Sequence, residues 1–487
     1  MEVIGSASHE KAGLICRGWW WFKALVVGVA TKTMKLGRDD PRRVIHALKV
    51  GLALSFVSLF YYFRPLYNGF GDATMWAVLT VVVVFEYTVG ATLGKGLNRG
   101  LATLLAGALG VGAHHLATLS GEKGEPMVLS IFVFILAAAA TFSRFFPGIK
   151  ARYDYGVVIF ILTFSLVSVS GYHADKILHL ARQRLSTILM GGCVCMIISI
   201  FICPVWAGQD LHNLIALNME KLADFLEGFG GEYFESDHGD EKSASDGSKS
   251  DKSFLQGYKS VLNSKATEES LANFARWEPC HGFFRFFHPW DQYLKVGSLI
   301  RQCSYRIEAL SDCINSDIQA PLEFKKEIQG ACIKMSSESG KALRELASGV
   351  RTMTQKGSID IHIANSKNAT NDLNSILKST LPKNADLLQI MPAATASALL
   401  VEIIKCIEEI AESVNELGRS TKFKIVDPTL TALEKQQPQT LLHRGIVNPV
   451  DTDCPHIFIE VDGPSDLSPP GNVNSKVPGG GASSTSN

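Results

Sequence analysis

Two arginines stand at the head of long hydrophobic runs in this chain of 487 residues. Arg99 precedes GLATLLAGALGVGAHHLATL and Arg184 precedes LSTILMGGCVCMIISIF, and neither has an acidic residue within four positions in sequence. A guanidinium keeps its charge in proteins and presents five donors in a fixed fork that matches a carboxylate. A pair of such cations along a pathway selects for anions. The same two residues would also serve as membrane-boundary markers that snorkel to headgroups. Spacing alone leaves both readings open. Lys49 and Glu86 lie inside other apolar runs, at matching depths of antiparallel neighbours, and are read as a structural ion pair. His114 and His115 are assigned to packing or to the interface, and Asp72 to a helix cap.

Other chemistries lack their residues. The stretch Gly90 to Gly96 resembles a phosphate loop but is one residue short between glycines and has Gly96 where Ser or Thr is required. There is no metal-ligand spacing, no Gly-x-Ser-x-Gly, no dinucleotide fingerprint and no basic stripe with interleaved aromatics, so no enzyme, cofactor or nucleic-acid partner is implied.

The elements that carry these charges are apolar runs of membrane length, since a span needs about 20 residues. Six are read: Val44–Tyr62, Phe70–Tyr87, Arg99–Leu119, Met127–Ser143, Tyr155–Tyr172 and Arg184–Trp206. The fold class expected is all-α, a polytopic membrane protein with six transmembrane helices and a cytoplasmic helical bundle domain. Lysine and arginine bias puts three flanks in the cytoplasm: Arg38 with Arg42 and Arg43, Lys95 with Arg99, and Arg144 with Lys150 and Arg152. Both termini are then inside. Lys176, Arg182 and Arg184 break the rule on the outer side, which suggests that they have a task of their own. Ten cysteines without CxxC pairs fit a reducing compartment.

Residues 1–43 form an N-terminal cytoplasmic segment in which Trp19, Trp20, Trp21 and Phe22 suit an interfacial helix. Residues 44–206 are the transmembrane domain, and 207–235 a helix continuing from the last span. A flexible linker covers 236–253, and a cytoplasmic helical domain 254–420. An irregular segment, 421–462, leads to a disordered tail, 463–487. Within the helical domain two stripes alternate by three and four. One runs from Tyr293 through Val296, Ile300, Cys303, Ile307 and Leu310 to Ile314. The other runs from Ala396 through Leu400, Ile403, Ile407, Ile410 and Val414 to Leu417. Each buries one face in a bundle.

Against this background PRRVIHALKVGLALS, MWAVLTVVVVFEYTVGATLGKGLNRG, FPGIKARYDYGVVIFILTFSLVSVSGY, CPVWAGQDLH and the triplet Trp277-Glu278-Pro279 resemble the plant aluminium-activated malate transporter family. The resemblance runs from roughly Asp40 to Gly230 and resumes at that triplet. It implies an anion channel, a homodimer in membrane lipid, that passes malate and other anions down their gradient. It makes Arg99 and Arg184 pore-lining, with Lys95 near the cytoplasmic mouth. The family has plasma-membrane and vacuolar members, and the short N-terminal region favours the plasma membrane. An ion-coupled secondary carrier using Glu86, His114 or His115, and a membrane-anchored scaffold, are the competing readings. The resemblance does not imply activation by aluminium. The outer hinges offer Asn68, Asp175 and His179, at most a weak metal site, because a hard cation prefers clustered carboxylates.

Overall fold

The computed structural model describes residues 21, 23–62, 74–121, 123–170, 174–235, 255–316, 320–380 and 387–426. Asn68, the linker 236–253 and the tail 463–487 lie outside them. Residues 23–39 are helical and leave Leu25, Val26, Val27, Val29, Met34 and Leu36 exposed. The apolar half then runs α1 (Pro41–Tyr62), α2 (Thr74–Val84), α3 (Val89–Thr118), α4 (Glu125–Ser143), a short α5 (Pro147–Arg152), α6 (Asp154–Ser170) and α7 (Ala174–Phe201). Val89–Thr118, Glu125–Ser143 and Arg182–Phe201 are long and apolar enough to cross a membrane, and Met75–Val84 and Asp154–Ser168 are shorter apolar helices.

Local chemistry sets the starts and stops. The Thr88 hydroxyl accepts from the Ala91 amide at 3.3 Å and caps α3. Proline stands in the first turns of α4 and α5, where its missing N–H costs nothing. Arg144 grips Asp154 through Nε at 2.6 Å and Nη2 at 3.1 Å, which fixes the approach to α6. Pro204 and a left-handed Cys203 (φ 41°) separate α7 from α8 (Ala207–Glu235).

Small residues let these helices close on one another. A methyl group at Gly110 would stand 2.7 Å from Cγ1 of Val167, so α3 meets α6 there. A methyl at Gly191 would stand 2.8 Å from the carbonyl oxygen of Ala77 and 3.1 Å from Cβ of Thr80, where α7 crosses α2. Gly191→Ala is therefore expected to destabilise the apolar half by about 1–3 kcal/mol, because backbone cannot yield. Gly192→Ala, whose methyl meets nothing within 4 Å, should instead stabilise slightly, by about 0.4–1 kcal/mol. Thermal melting of both variants in detergent checks this; equal midpoints would refute it. Around the α2–α7 crossing, Ala53, Val57, Ala77, Val81, Val84, Phe85, Cys195 and Ile198 form a core.

The C-terminal half is a helical bundle with one core. Around α8 lie α9 (Tyr258–Leu262), α10 (Lys265–Ala275), α11 (Trp290–Ile314), α12 (Leu322–Thr352), α13 (Ser358–Thr380) and α14 (Leu387–Thr421). The stripe of α11 is buried from Tyr293 to Leu310, with Ile314 packed at its edge, and all seven positions of the α14 stripe are buried. Gln389–Thr421 is also long and apolar enough for a membrane, but its apolar face is taken up by this core. Two short parallel strands, β1 (Thr354–Lys356) and β2 (Lys424–Val426), interrupt the all-α plan. They were not legible in the sequence, where residues after 420 read as irregular.

Candidate functional site

The arginines do not begin their helices. α3 starts at Val89 and α7 at Ala174, ten residues before Arg99 and Arg184 respectively, so each guanidinium is borne about 15 Å into its helix. Arg99 is 3% exposed and Arg184 9%. Both side chains are packed inside the protein. Arg99 Nη1 donates to the Tyr155 hydroxyl at 2.9 Å. The Arg184 guanidinium lies over the Trp76 ring, 4.4 Å from its centroid. Nε of both arginines is buried without a hydrogen-bond partner, and among the described residues neither is paired with a carboxylate.

α3 and α7 are antiparallel, since the Val89 amide at the start of one donates to the Val205 carbonyl just past the end of the other at 2.9 Å. Gly100 faces Leu189 across that contact. Counting 1.5 Å per residue from this level, the two arginine backbones are about 9 Å apart along the helix axes. They form two steps at different depths.

A cavity of about 210 Å³ opens at the same end of α3 and is lined by Lys95, Lys150, Arg152, Asp154, Tyr155, Asn273 and Trp277 among others. Lys150 and Arg152 face one carboxylate that Arg144 already holds, beside Lys95, whose ammonium pairs with Glu86. Tyr155 is shared: its ring lies 5.7 Å from Lys95 Nζ, and its hydroxyl receives Arg99. The basic cavity and the inner arginine thus have a common wall.

The expected ion pair between Lys49 and Glu86 is not formed. Lys49 Nζ donates to the Cys203 carbonyl at 2.7 Å, satisfying an acceptor freed by the break between α7 and α8. The Glu86 carboxylate pairs instead with Lys95. Both charges are met by partners that the backbone breaks at 85–88 and 202–206 make available. His114 is buried with Nδ1 3.2 Å from Glu125, though not aligned for a hydrogen bond. Asp175 and His179 belong to α7, and their side chains are not among those described; Asn68 lies outside the described residues. No cluster of three metal-ligating side chains occurs among the described residues.

The triplet Trp277-Glu278-Pro279 joins the two halves of the chain. Trp277 packs on Gly94 of α3 and meets Tyr153 edge-on at 6.1 Å. The Glu278 carboxylate accepts from the amides of Ala207 at 2.6 Å and Gly208 at 3.0 Å, capping α8, and its side chain packs against Gly90 in the first turn of α3. Burial pushes this carboxyl up to about 7, against the downward pull of the amides. The Pro279 carbonyl accepts from His281 Nδ1 at 2.9 Å, and the His281 ring stacks on Trp206 at 3.9 Å. Behind it His212 and His288 both approach the Tyr293 hydroxyl, and burial lowers His288 to about 4, so the cluster is neutral near pH 7.

Sequence reasoning missed Tyr155, Trp76 and the latching role of Glu278. The first two carry no charge and sit in apolar context. The third bonds residues about 70 positions away, and no local periodicity encodes that.

Comparison with known proteins gives a consistent result. A family model described as "Aluminium activated malate transporter" matches residues 34–382. Aluminum-activated malate transporter 2 of Arabidopsis thaliana is 58% identical over 391 residues, covering 80% of this chain and 77% of that protein. Aluminum-activated malate transporter 1 of the same plant is 49% identical over 437 residues, covering 89% and 87%. Aluminum-activated malate transporter 1 of Triticum aestivum is 48% identical over 432 residues, covering 87% and 91%.

Proposed function

Given that the chain belongs to the aluminium-activated malate transporter family, a family of membrane transporters and not of enzymes, we propose that it is a channel passing malate and other anions down their electrochemical gradient. α1, α2, α3, α4, α6 and α7 are its six spans. Both termini and the C-terminal bundle are cytoplasmic, the host is the plasma membrane, and two subunits associate. The single observation that carries the channel reading is a pair of buried guanidiniums without carboxylate partners among the described residues.

The mechanism follows from charge. Burying an uncompensated cation is expensive, so an anion that supplies the missing partner is drawn in. A carboxylate 4 Å from a guanidinium gains about 4 kcal/mol at an effective dielectric of 20, which offsets part of its dehydration. Lys95, Lys150 and Arg152 gather anions at the cytoplasmic mouth. Arg99 and then Arg184 receive them, and the step between the two keeps either site from becoming a trap.

Voltage clamp with malate, nitrate, sulfate or chloride as sole permeant anion tests the proposal. Currents should reverse at the anion equilibrium potential. A reversal potential that follows the proton gradient instead would favour a coupled carrier, for which the buried His114 beside Glu125 is the one supporting observation. External Al3+ is expected to change malate current little, because Asn68 brings no charge and His179 is a poor ligand for a hard ion. A large, reversible increase would refute that.

A further inference from the structure

We propose that the turn between His281 and Trp290 is a membrane-surface anchor, in which Phe283, Phe286 and Phe287, with Arg285 among them, enter the headgroup layer of the bilayer beside the α7–α8 link. The inference rests on α1 and α7 crossing that bilayer, and goes beyond ion conduction.

Depth is fixed by two contacts at opposite ends of the link. Lys49 reaches the Cys203 carbonyl, and Arg42 reaches Asp210 at 3.1 Å. Residues 203–210 therefore run alongside the first turns of α1, with Cys203 the deeper. Trp206 falls between, and lines with Ile45, Val205 and Arg42 a cavity of about 280 Å³. Arg42 and Arg43 mark headgroup level. Trp206 thus lies about one turn to the apolar side of it.

The turn is tied to that level. His281 stacks on Trp206, and its backbone pairs with Phe284 through N–H to carbonyl hydrogen bonds of 3.1 Å and 2.9 Å. Phe284 is buried against His212 and Trp290. Its neighbours point away: Phe283 is 68% exposed, Phe286 67%, and Phe287 wholly exposed in a left-handed conformation (φ 60°). Val44 and Leu48 of α1 are exposed at the same depth. Three phenylalanines around an exposed arginine form an apolar patch of the size and rim that marks an interaction surface. Aromatic rings with a cation at headgroup level match a lipid interface better than water.

The test uses the full-length chain in liposomes of phosphatidylcholine and phosphatidylserine, with the photoreactive p-benzoylphenylalanine placed singly at Phe286, at Phe134 on the exposed face of α4, or at Tyr305. Tyr305 is exposed on α11, about 22 Å beyond Trp290 along the helix. After irradiation, mass spectrometry should find lipid adducts from Phe286 at a yield comparable with Phe134, and roughly tenfold fewer from Tyr305. Adducts from Phe134 but none from Phe286 would overturn the anchor alone. So would cross-links from Phe286 to a second copy of the chain in place of lipid. Failure at Phe134 would overturn the spanning arrangement, and the anchor with it.

Discussion

Arg99→Gln and Arg184→Gln should each lower malate conductance by about tenfold or more while the protein reaches the membrane in normal amount. Glutamine keeps a polar amide with two of the five N–H donors but removes the fixed charge. A guanidinium about 4 Å from a passing carboxylate is worth about 4 kcal/mol at an effective dielectric of 20, and a third of that is already tenfold. Tyr155→Phe, which deletes only the hydroxyl that receives Arg99, should have a much smaller effect. Lysine at either position retains charge without the planar fork, and should conduct with altered discrimination between carboxylates and chloride. Voltage clamp alongside surface labelling separates conduction from abundance. Unchanged conductance and selectivity in both glutamine variants would put the anion route elsewhere.

Glu278→Ala should cost the whole chain about 3 kcal/mol or more. The alanine variant leaves the amides of Ala207 and Gly208 buried without an acceptor, and each orphaned donor costs about 1–3 kcal/mol. A pH signature accompanies it. Burial raises the Glu278 carboxyl from 4.5 to about 7, so between those values the folded chain holds a proton that the unfolded chain has released. The stabilisation is present in full below about 4.5 and is lost as pH rises through 7, a change of about 3 kcal/mol. Melting midpoints measured from pH 5 to 8 should therefore fall with rising pH in the native chain, and Glu278→Gln should flatten that slope. An identical slope in the glutamine variant would assign the dependence to other groups.

The apolar runs were legible because twenty uncharged residues have few other homes, and the stripes of α11 and α14 because a buried helical face imposes its own period. Helix starts were not. Lys95, Asn98 and Arg182 are polar enough to look like loop, yet α3 and α7 continue through them, α3 from its Thr88 cap. The consequence was considerable: two residues read at the ends of spans lie three turns inside helices. α13 escaped notice because SIDIHIANSKNATNDLNSILKST carries a weak apolar pattern, and its packing against α12 decides its form. The partner of Lys49 was misjudged for a different reason. Matching charges by depth treats side chains as the only acceptors, whereas a broken helix offers carbonyls. Trp277, Glu278 and Pro279 could be singled out in sequence as a family triplet, but the two amides that Glu278 caps are brought to it only by the fold.

The first turn of α3 has one end of a stiff rod in the grip of Trp277 and Glu278 and carries Arg99 about 15 Å further along. A displacement of the C-terminal half at Gly90 has an unbroken helix along which to reach that guanidinium. The C-terminal half and the Arg99 charge are thus two ends of one stretch of helix.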